Sequence, residues 1–298
     1  MKYLFLWIII FACCTPSFAQ HNIVRLAEIK DKMGHHDSGY IPNFDGYLDL
    51  SYTSDIETIQ LRVVYIMDVK IDTNIYRDRV IAEIGARQTK FYSQYLWELS
   101  MNHTHRDRRV SYDWMQECRV LFPSIIYTDK QVKSIICHTL LPYSNVLYEY
   151  HETIPLIDWQ MSDDCQTILG YTCMSAMCSF RGRSWKVWYT VDIPAAGFWK
   201  FDGLPGMILH AESKDGEFLF KAINIDQPND MITKCEMPTQ RLNRIRIREL
   251  EQKIYANPMD AFFAETGQDY YVVLYNGRVE YIEYDDLLPI PYNPLEID

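Results

Sequence analysis

The sequence predicts an α+β fold, a predominantly antiparallel curved β-sheet with a few covering helices. Many short segments are rich in β-branched and aromatic residues, which favour strands. Two turn dipeptides, Asp215-Gly216 and Asn276-Gly277, each join a pair of such segments and predict hairpins. Only two segments have helical periodicity. Adjacent hairpins favour an antiparallel sheet over βαβ units.

In chain order, the first predicted helix covers about residues 90–101, with Thr89 as its N-cap and an apolar stripe that includes Tyr92 and Leu96. The second covers residues 239–265, with Thr239 as its cap and Leu242, Ile245, Leu250 and Ile254 as its buried stripe. The predicted strands are residues 47–52, 61–67, 80–84, 124–127, 146–151, 185–191, 207–213, 217–225, 270–275 and 278–284.

The hairpin at Asp215-Gly216 is specific enough to predict its register. A two-residue type I′ turn there places alternate residues of the two strands on one face. That face, predicted to be core, consists of Met207, Leu209, Ala211, Phe218, Phe220 and Ala222. The opposite face, predicted to be hydrated, carries His210, Glu212 and Lys221.

The N-terminus has the pattern of a secretory signal over residues 1–19. Lys2 precedes a short apolar run, and Ser17-Phe18-Ala19 resembles a cleavage site before Gln20. Lipid attachment at Cys13 or Cys14 is the alternative. We expect a poorly ordered arm at residues 20–46 and a single domain at residues 47–298. The protein is expected in the periplasm, at the outer membrane or in the medium.

Charge and hydropathy argue against nucleic-acid binding and against a transmembrane span. After loss of the signal, which carries one lysine, 28 cationic and 40 acidic side chains remain, a net charge of −12. An acidic chain does not favour nucleic acid. The rest of the sequence lacks a run of about 20 apolar residues, so we expect no transmembrane span in the mature chain.

Six cysteines remain in the predicted mature chain, and export favours disulfides among them. These candidates are Cys118, Cys137, Cys165, Cys173, Cys178 and Cys235. Their connectivity stays open. Cys173 and Cys178 would lie about 16 Å apart and on opposite faces of a continuous strand, so they can bond to each other only if the chain turns between them.

The segment Cys173-Met174-Ser175-Ala176-Met177-Cys178 also offers four soft donors. Thiolates and thioethers are the ligands that Cu(I) prefers. Cys173, Met174, Met177 and Cys178 are therefore a weak candidate metal site, and one or two disulfides beside gap-filling methionines are the alternative. No other metal or cofactor is predicted.

Aromatic residues indicate a candidate binding surface. Alternation along residues 185–191 sends Trp185 to one face and Trp188 to the other. Trp188, Trp199 and His210 are the candidate binding residues, and packing in a second core layer is the alternative for Trp188.

The segment from about residue 170 to residue 225 resembles a known family. The residues concerned are Gly170-Tyr171-Thr172-Cys173, Phe180-Arg181-Gly182-Arg183, Trp188-Tyr189-Thr190-Val191-Asp192-Ile193-Pro194, Gly203-Leu204-Pro205-Gly206-Met207-Ile208-Leu209 and Lys214-Asp215-Gly216. They resemble the GLPGLI family of exported proteins, with Met207 in place of the usual leucine. Lys90-Phe91-Tyr92-Ser93 and Tyr292-Asn293-Pro294-Leu295-Glu296 extend the resemblance. It implies an exported envelope protein and supplies no catalytic residue.

Within this motif, Gly203, Leu204, Pro205, Gly206, Met207 and Ile208 predict a structural corner that directs the next strand into the core. Both glycines are expected to adopt backbone angles that a β-carbon obstructs, and Pro205 fixes its own φ.

The sequence contains no Walker A loop, no dinucleotide-binding glycine fingerprint, no His-Glu-x-x-His and no Gly-x-Ser-x-Gly. These absences weaken the common hydrolase and nucleotide-binding interpretations. The hydrated hairpin face and the aromatic strand favour a non-enzymatic protein that binds an envelope protein, a peptide or a small apolar ligand through its sheet. The alternative is a hydrolase of peptide or glycan without a recognisable motif, and copper handling is a more distant one.

Overall fold

A computed structural model describes residues 46–105, 119–142, 144, 146–258, 260, 263, 270–275, 278–283 and 291–298. The predicted signal peptide, nearly all of the predicted arm, Cys118 and the Asn276-Gly277 turn lie outside the described residues.

The fold is α+β and mostly antiparallel sheet. A sheet of twelve strands has the order β14-β7-β6-β5-β4-β3-β2-β12-β11-β10-β9-β8, and β14 with β7 is its parallel pair. Two further pairs, β1 with β13 and β15 with β16, form separate two-stranded sheets. The strands are β1 (Thr53–Thr58), β2 (Leu61–Ile71), β3 (Asn74–Ile84), β4 (Gln88–Ser93), β5 (Ser124–Asp129), β6 (Ser134–Leu140), β7 (Leu147–Thr153), β8 (Gln160–Ile168), β9 (Tyr171–Phe180), β10 (Arg183–Thr190), β11 (Met207–Ser213), β12 (Phe218–Asp226), β13 (Met231–Cys235), β14 (Thr239–Arg241), β15 (Tyr270–Tyr275) and β16 (Arg278–Glu283).

Two helices, α1 (Gln94–His105) and α2 (Arg244–Ala256), belong to the described chain. Contacts divide the chain into two compact units, and the larger comprises residues 46–141, 145–251 and 293–298. The smaller includes residues 252–292 with the β15–β16 pair. In the described part, neither helix has the length and apolar character needed to cross a membrane. The boundary of residues 47–298 for a single domain stays a prediction.

The core of the larger unit lies on one face of the twelve-stranded sheet, here called the core face. Cross-strand pairing puts Tyr65, Phe91, Trp185 and Phe220 on this face, and all four are buried. The connection between β10 and β11, residues 191–206, packs against it through Phe198, whose ring lies 5.1 to 5.4 Å from those of Tyr65, Phe91 and Phe220. The chain thus fills its own core face with aromatic side chains.

The other face of the sheet, here called the outer face, is partly covered by α1 and by β13. The ring of Trp97 on α1 lies 3.5 Å from Lys90 Nζ on β4. The backbone N–H of Cys235 on β13 donates to the Tyr127 hydroxyl on β5.

The predicted first helix begins four residues too early. Residues 88–93 form β4, which pairs with β3 and β5. The helix then starts at Gln94, and its cap is Ser93, whose hydroxyl accepts from the Leu96 N–H at 3.1 Å. Thr89 is therefore a buried strand residue and not an N-cap. Phe91 is apolar and pairs on both sides, so tertiary pairing overrides the helical periodicity.

Two other element predictions are also corrected. Residues 47–52 run beside α1 instead of forming a strand, because the Leu48 and Leu50 N–H groups donate to side-chain hydroxyls of that helix. The predicted helix 239–265 begins only at Arg244, where Asn243 accepts from the Arg246 N–H. Ile245, assigned to its buried stripe, is 62% exposed, and Ile247 is buried instead.

The predicted register of the β11–β12 hairpin is confirmed. Ala211 pairs with Phe220 and His210 with Lys221, and the six predicted core residues are buried. The turn itself differs from the prediction, because Gly216 has φ 74° whereas Asp215 has no positive φ. A four-residue loop with one left-handed glycine keeps the register that a two-residue type I′ turn would give.

Asp78 on β3 organises the entry of the chain into β5. Its carboxylate is fully buried and accepts from Arg79 N, the Ser93 hydroxyl, Leu121 N and Phe122 N. We expect Asp78→Asn to lower the free energy of unfolding by about 2 kcal/mol, because the amide NH2 would face donors that need an acceptor. Urea denaturation measures the loss.

Asp226→Asn is the control for this substitution, because Asp226 is paired with Arg62 but is 34% exposed. It should cost less than about 1 kcal/mol. Equal losses in the two variants would contradict the role assigned to Asp78.

Candidate functional site

The Gly-Leu-Pro-Gly segment forms a tight corner immediately before β11. Gly203 has φ 94°, as predicted for a position that a side chain obstructs. Gly206 does not adopt a positive φ, which corrects the prediction for that residue. It is required for space, because a β-carbon there would overlap the Thr190 carbonyl oxygen and lie 2.7 Å from the carbonyl carbon.

Among the described residues, two small cavities lie beside this connection on the core face. A cavity of about 20 Å³ lies beside Gly197, Trp199 and Lys200, and another of about 10 Å³ lies beside Leu204 and Gly206. The larger volume suits a single water molecule. A pocket for a small organic ligand usually exceeds about 300 Å³.

A buried cluster of charges fixes this connection and the segment 293–298. Lys200 Nζ lies 2.7 Å from the Tyr150 hydroxyl, 2.7 Å from Glu152 Oε1 and 2.5 Å from Glu296 Oε1. Arg181 Nη2 lies 2.6 Å from Glu152 Oε2, and Arg244 Nη1 lies 3.0 Å from Glu296 Oε2. Lys200, Tyr150, Glu152, Glu296, Arg181 and Arg244 are called the Lys200 cluster below.

The Lys200 cluster is held in its charged form by mutual interaction. Burial disfavours the charge on Lys200, but the carboxylates of Glu296 and Glu152 keep its pKa above the usual value. Burial likewise disfavours ionised Glu296, but the charge of Lys200 dominates and its pKa is lowered. The cluster is therefore an ion network at neutral pH, with a structural role.

No motif in the sequence predicts the Lys200 cluster. A lysine between Trp199 and Phe201, in an otherwise aromatic run, was the available signal, because a charge in an apolar run requires buried partners. Its partners come from β7 and from the segment 293–298. The spacing of these residues in the sequence does not predict that they come into contact.

The outer face presents an aromatic platform on β10 and β11. Trp188 pairs with His210, and their rings lie 4.6 Å apart in an edge arrangement. Lys186 Nζ lies 4.8 Å from the Trp188 ring. Trp188 and His210 are partly exposed, so the structure brings together two of the three predicted binding residues.

His210 adds an unused polar group to this platform. Its Nε2 is buried, has no hydrogen-bond partner among the described residues, and lies 3.6 Å from Glu212 Oε2. Burial lowers the pKa of His210, and the charge of Lys221 acts in the same direction. A neutral imidazole thus lies beside the indole at pH 7. We name Trp188, His210 and Lys186 the Trp188 platform.

Trp199, the third predicted binding residue, belongs to the core. It is 3% exposed, and its ring lies 5.0 Å from that of Phe201 and 5.5 Å from those of Phe180 and Trp185. The prediction of a surface role is wrong, because the β10–β11 connection turns this side chain toward the sheet.

The cysteines described by the structure are all free thiols. Cys137, Cys173, Cys178 and Cys235 are buried, and Cys165 is exposed. They lie on β6, β8, β9 and β13, and no disulfide joins them. The structure thus gives no support to a disulfide among these five.

The soft donors of the sequence Cys173 to Cys178 do not converge. Residues 171–180 form one strand, β9, without a turn. Met174 pairs with Tyr189 and Cys178 with Trp185 on the core face, so Cys173 and Met177 project from the outer face. The pleat separates the four predicted ligands into two pairs. Among the described residues, no group of three or more His, Cys, Asp or Glu is arranged to hold a metal.

The outer face holds two further sets of polar side chains that no sequence pattern predicted, a histidine pair at Glu149 and the buried Lys90. His138 Nε2 and His151 Nε2 lie 3.1 and 2.7 Å from the two carboxylate oxygens of Glu149. Lys90 is 1% exposed, and its burial lowers the pKa to about 8. Trp97 and Tyr92 cover its ammonium group. Because Lys90 is sealed from solvent, it has no access to a substrate.

Comparisons with known proteins assign no family. No family model and no curated protein matches the chain. Among solved structures, PNGF-II matches 68% of this chain with a TM-score of 0.44 and 12% identity. This chain spans about a third of the length of that protein, 33%.

This chain covers most of the length of two other solved structures. An uncharacterized conserved protein from Thermus thermophilus matches with a TM-score of 0.32 and 10% identity, over 62% of this chain and 91% of that one. A LolA superfamily protein from Nitrosomonas europaea matches with a TM-score of 0.24 and 9% identity, over 71% of this chain and 94% of that one.

Proposed function

We propose that this chain is an exported, non-enzymatic envelope protein of the GLPGLI family, which binds a protein or peptide through the Trp188 platform. The single observation that carries the proposal is the partly exposed indole of Trp188, in contact with a neutral imidazole and a lysine ammonium. Tryptophan and tyrosine surrounded by polar groups are the residues that most often dominate binding energy in protein interfaces.

Several neighbours extend the platform into a surface of mixed character. Met177, Leu219 and Ile66 are partly exposed, and Ile223 is 38% exposed. The pairings Lys186 with Met177, Glu212 with Leu219 and Lys221 with Ile66 place three of them on the outer face. Apolar contacts among charged groups are typical of interfaces that form between separately folded proteins.

The core face is a poor site for a ligand, which favours the outer face. Its aromatic residues already pack against the β10–β11 connection, and the cavities there hold about 20 and 10 Å³. An apolar ligand would have to displace Phe198, which is 1% exposed. We therefore propose a macromolecular partner and not a small apolar ligand.

We also propose that the twelve-stranded sheet is strongly curved around this connection. Eight steps in the strand order separate β7 from β10, or about 38 Å in a flat sheet with strands about 4.8 Å apart. Yet Glu152 on β7 forms a 2.6 Å ion pair with Arg181, which lies in the turn just before β10. Curvature supports the binding proposal, because it leaves the outer face convex and accessible.

The direct test is affinity purification from the native envelope, followed by measurement of the dissociation constant of the captured partner. Trp188→Ala should weaken binding by about 30-fold, the effect of losing an interface residue worth about 2 kcal/mol. Circular dichroism checks that the variant is folded.

Ile245→Ala on α2 is the matched control, since Ile245 is also a large exposed apolar residue and lies outside the platform. Its affinity should equal that of the unaltered protein. A partner that binds Trp188→Ala as tightly as the unaltered protein would overturn the assignment of the surface, and hydrolysis of the captured molecule would favour an enzyme.

A further inference from the structure

Three sulfur-bearing residues that are dispersed in the sequence meet on the core face at its exposed margin. They are Met161 and Cys165 on β8 and Met174 on β9. Cys165 pairs directly with Met174, and Met161 pairs with Ala176, two residues further along β9. Paired residues project from the same face of an antiparallel sheet, with Cβ atoms about 4.5 to 5.5 Å apart.

A β-bulge brings the two β8 residues together. Ser162 pairs with Ser175 and Cys165 with Met174, so Asp163 and Asp164 are extra residues without partners on β9. Four residues of regular strand would separate Met161 from Cys165 by about 13 Å. Their partners on β9 are only two residues apart, or about 7 Å. The bulge thus places both sulfur atoms within reach of Met174.

The three side chains are accessible from solvent. Met161 is 56% exposed and Met174 is 36% exposed, and Cys165 is the exposed thiol among the described cysteines. Ala176 is small, which allows Tyr189 on β10 to reach across β9, so that its hydroxyl lies 3.5 Å from Met161 Sδ. A thioether sulfur has two lone pairs, and this hydrogen bond occupies one of them while orienting the other.

We propose that Met161, Cys165 and Met174 form a binding site for one soft monovalent cation, Cu(I). Two thioethers and one thiolate are a donor set that favours Cu(I) over Zn²⁺, Mg²⁺ or Ca²⁺. Binding forms three metal–sulfur bonds and releases the Cys165 thiol proton to water, without change of oxidation state. Tyr189 is a positioning residue, because it acts through Met161.

This site lies on the other face of the sheet from the Trp188 indole, and one ion pair links the two, because Lys186 of the platform lies 2.9 Å from Asp164 in the bulge. Trp188 projects from the outer face, whereas Tyr189, the next residue, shares the core face with the three sulfur atoms. The sulfur site also differs from the metal site predicted from the sequence Cys173 to Cys178, because only Met174 belongs to both. The register of β8 against β9 creates it.

The test is titration of the reduced protein with Cu(I), in competition with a chromophoric Cu(I) chelator, and with Ag(I) as a redox-inert probe. We expect one cation per chain. Met161→Leu and Met174→Leu should each weaken binding about tenfold or more, a loss typical of a perturbed metal site. Cys165→Ser should weaken it further. Ag(I) should also protect Cys165 from alkylation in peptide mapping by mass spectrometry.

Met177→Leu is the matched control, because Met177 lies on the same strand as Met174 and projects from the outer face. Its affinity should remain within about twofold of the unaltered protein, well below the tenfold that corresponds to about 1.4 kcal/mol. Equal losses in Met177→Leu and Met174→Leu, or full Cu(I) uptake by the Met161→Leu, Cys165→Ser, Met174→Leu triple variant, would overturn the site. Binding of the envelope partner should be unchanged in the triple variant.

Discussion

Gly206→Ala should strongly destabilise the protein, by about 3 kcal/mol, at the upper end of overpacking effects. The added methyl group would overlap the Thr190 carbonyl oxygen and lie 3.0 Å from Val191 Cα. These are main-chain atoms at the end of β10, so no side-chain rotation relieves the overlap. Either β11 moves away from β10 or the corner opens, and both disrupt the core around Met207. Thermal and urea denaturation measure the effect.

Gly170→Ala is the control for the Gly206 substitution. Gly170 has φ 86°, but a β-carbon there meets nothing within 4 Å. Its replacement costs only the left-handed backbone penalty, about 1 kcal/mol. If Gly206→Ala were no more destabilising than Gly170→Ala, close packing against Thr190 would not be the reason for glycine at this position.

Lys200→Met should have a comparable effect, about 3 kcal/mol at pH 7. Methionine fills similar volume but leaves Glu152 Oε1 and Glu296 Oε1 without the ammonium group that lies 2.7 and 2.5 Å away. The carboxylates keep Arg181 and Arg244 as partners, so the loss should be near the lower end of the range for breaking a buried ion pair. Urea denaturation at pH 7 measures it.

The pH dependence separates charge from packing in the Lys200→Met variant. Because the pKa of Glu296 is lowered on folding, its contribution is present above its unfolded pKa and disappears as pH falls through the folded value. The raised pKa of Lys200 has the opposite sign: its contribution is present below its unfolded pKa and disappears as pH rises through the folded value. The difference between the unaltered protein and Lys200→Met should therefore shrink from pH 7 to pH 4.

Lys186→Met provides the matched control. Lys186 also pairs with a carboxylate, Asp164 at 2.9 Å, but the two side chains are 28% and 64% exposed. Its replacement should cost less than about 1 kcal/mol at both pH values. A Lys200→Met deficit that stays constant between pH 7 and pH 4 would attribute the effect to packing and not to the ion network.

Local sequence patterns correctly predicted the elements that depend on interactions between neighbouring residues. The β11–β12 register is one case, because the alternation of Met207, Leu209 and Ala211 allows a single arrangement with the core on one side. Thr89 is the opposite case. Its neighbours fit a helical stripe, yet pairing with β3 and β5 makes the segment a strand and delays the helix to Gln94.

The candidate binding residues divide in the same way. Strand alternation correctly separates Trp188 from Trp185, because side chains alternate along a strand. No such period applies in the connection after β10, where Trp199 has φ 48° and its side chain enters the core. In irregular backbone, no sequence rule predicts which way a side chain points.

By itself, the sequence determined that the chain is an α+β protein with a large antiparallel sheet, and which residues of its clearest hairpin face the core. Hairpins depend on turn chemistry and alternation, which are local properties. Only the tertiary structure decided that Phe198 fills the core face, that Lys200 meets Glu152 and Glu296, and that Cys165 lies opposite Met174. The contacts of Phe198 and Lys200 join residues far apart in the chain, and the pairing of Cys165 with Met174 depends on the bulge in β8. All of them exist only once the strands have paired in one order and register.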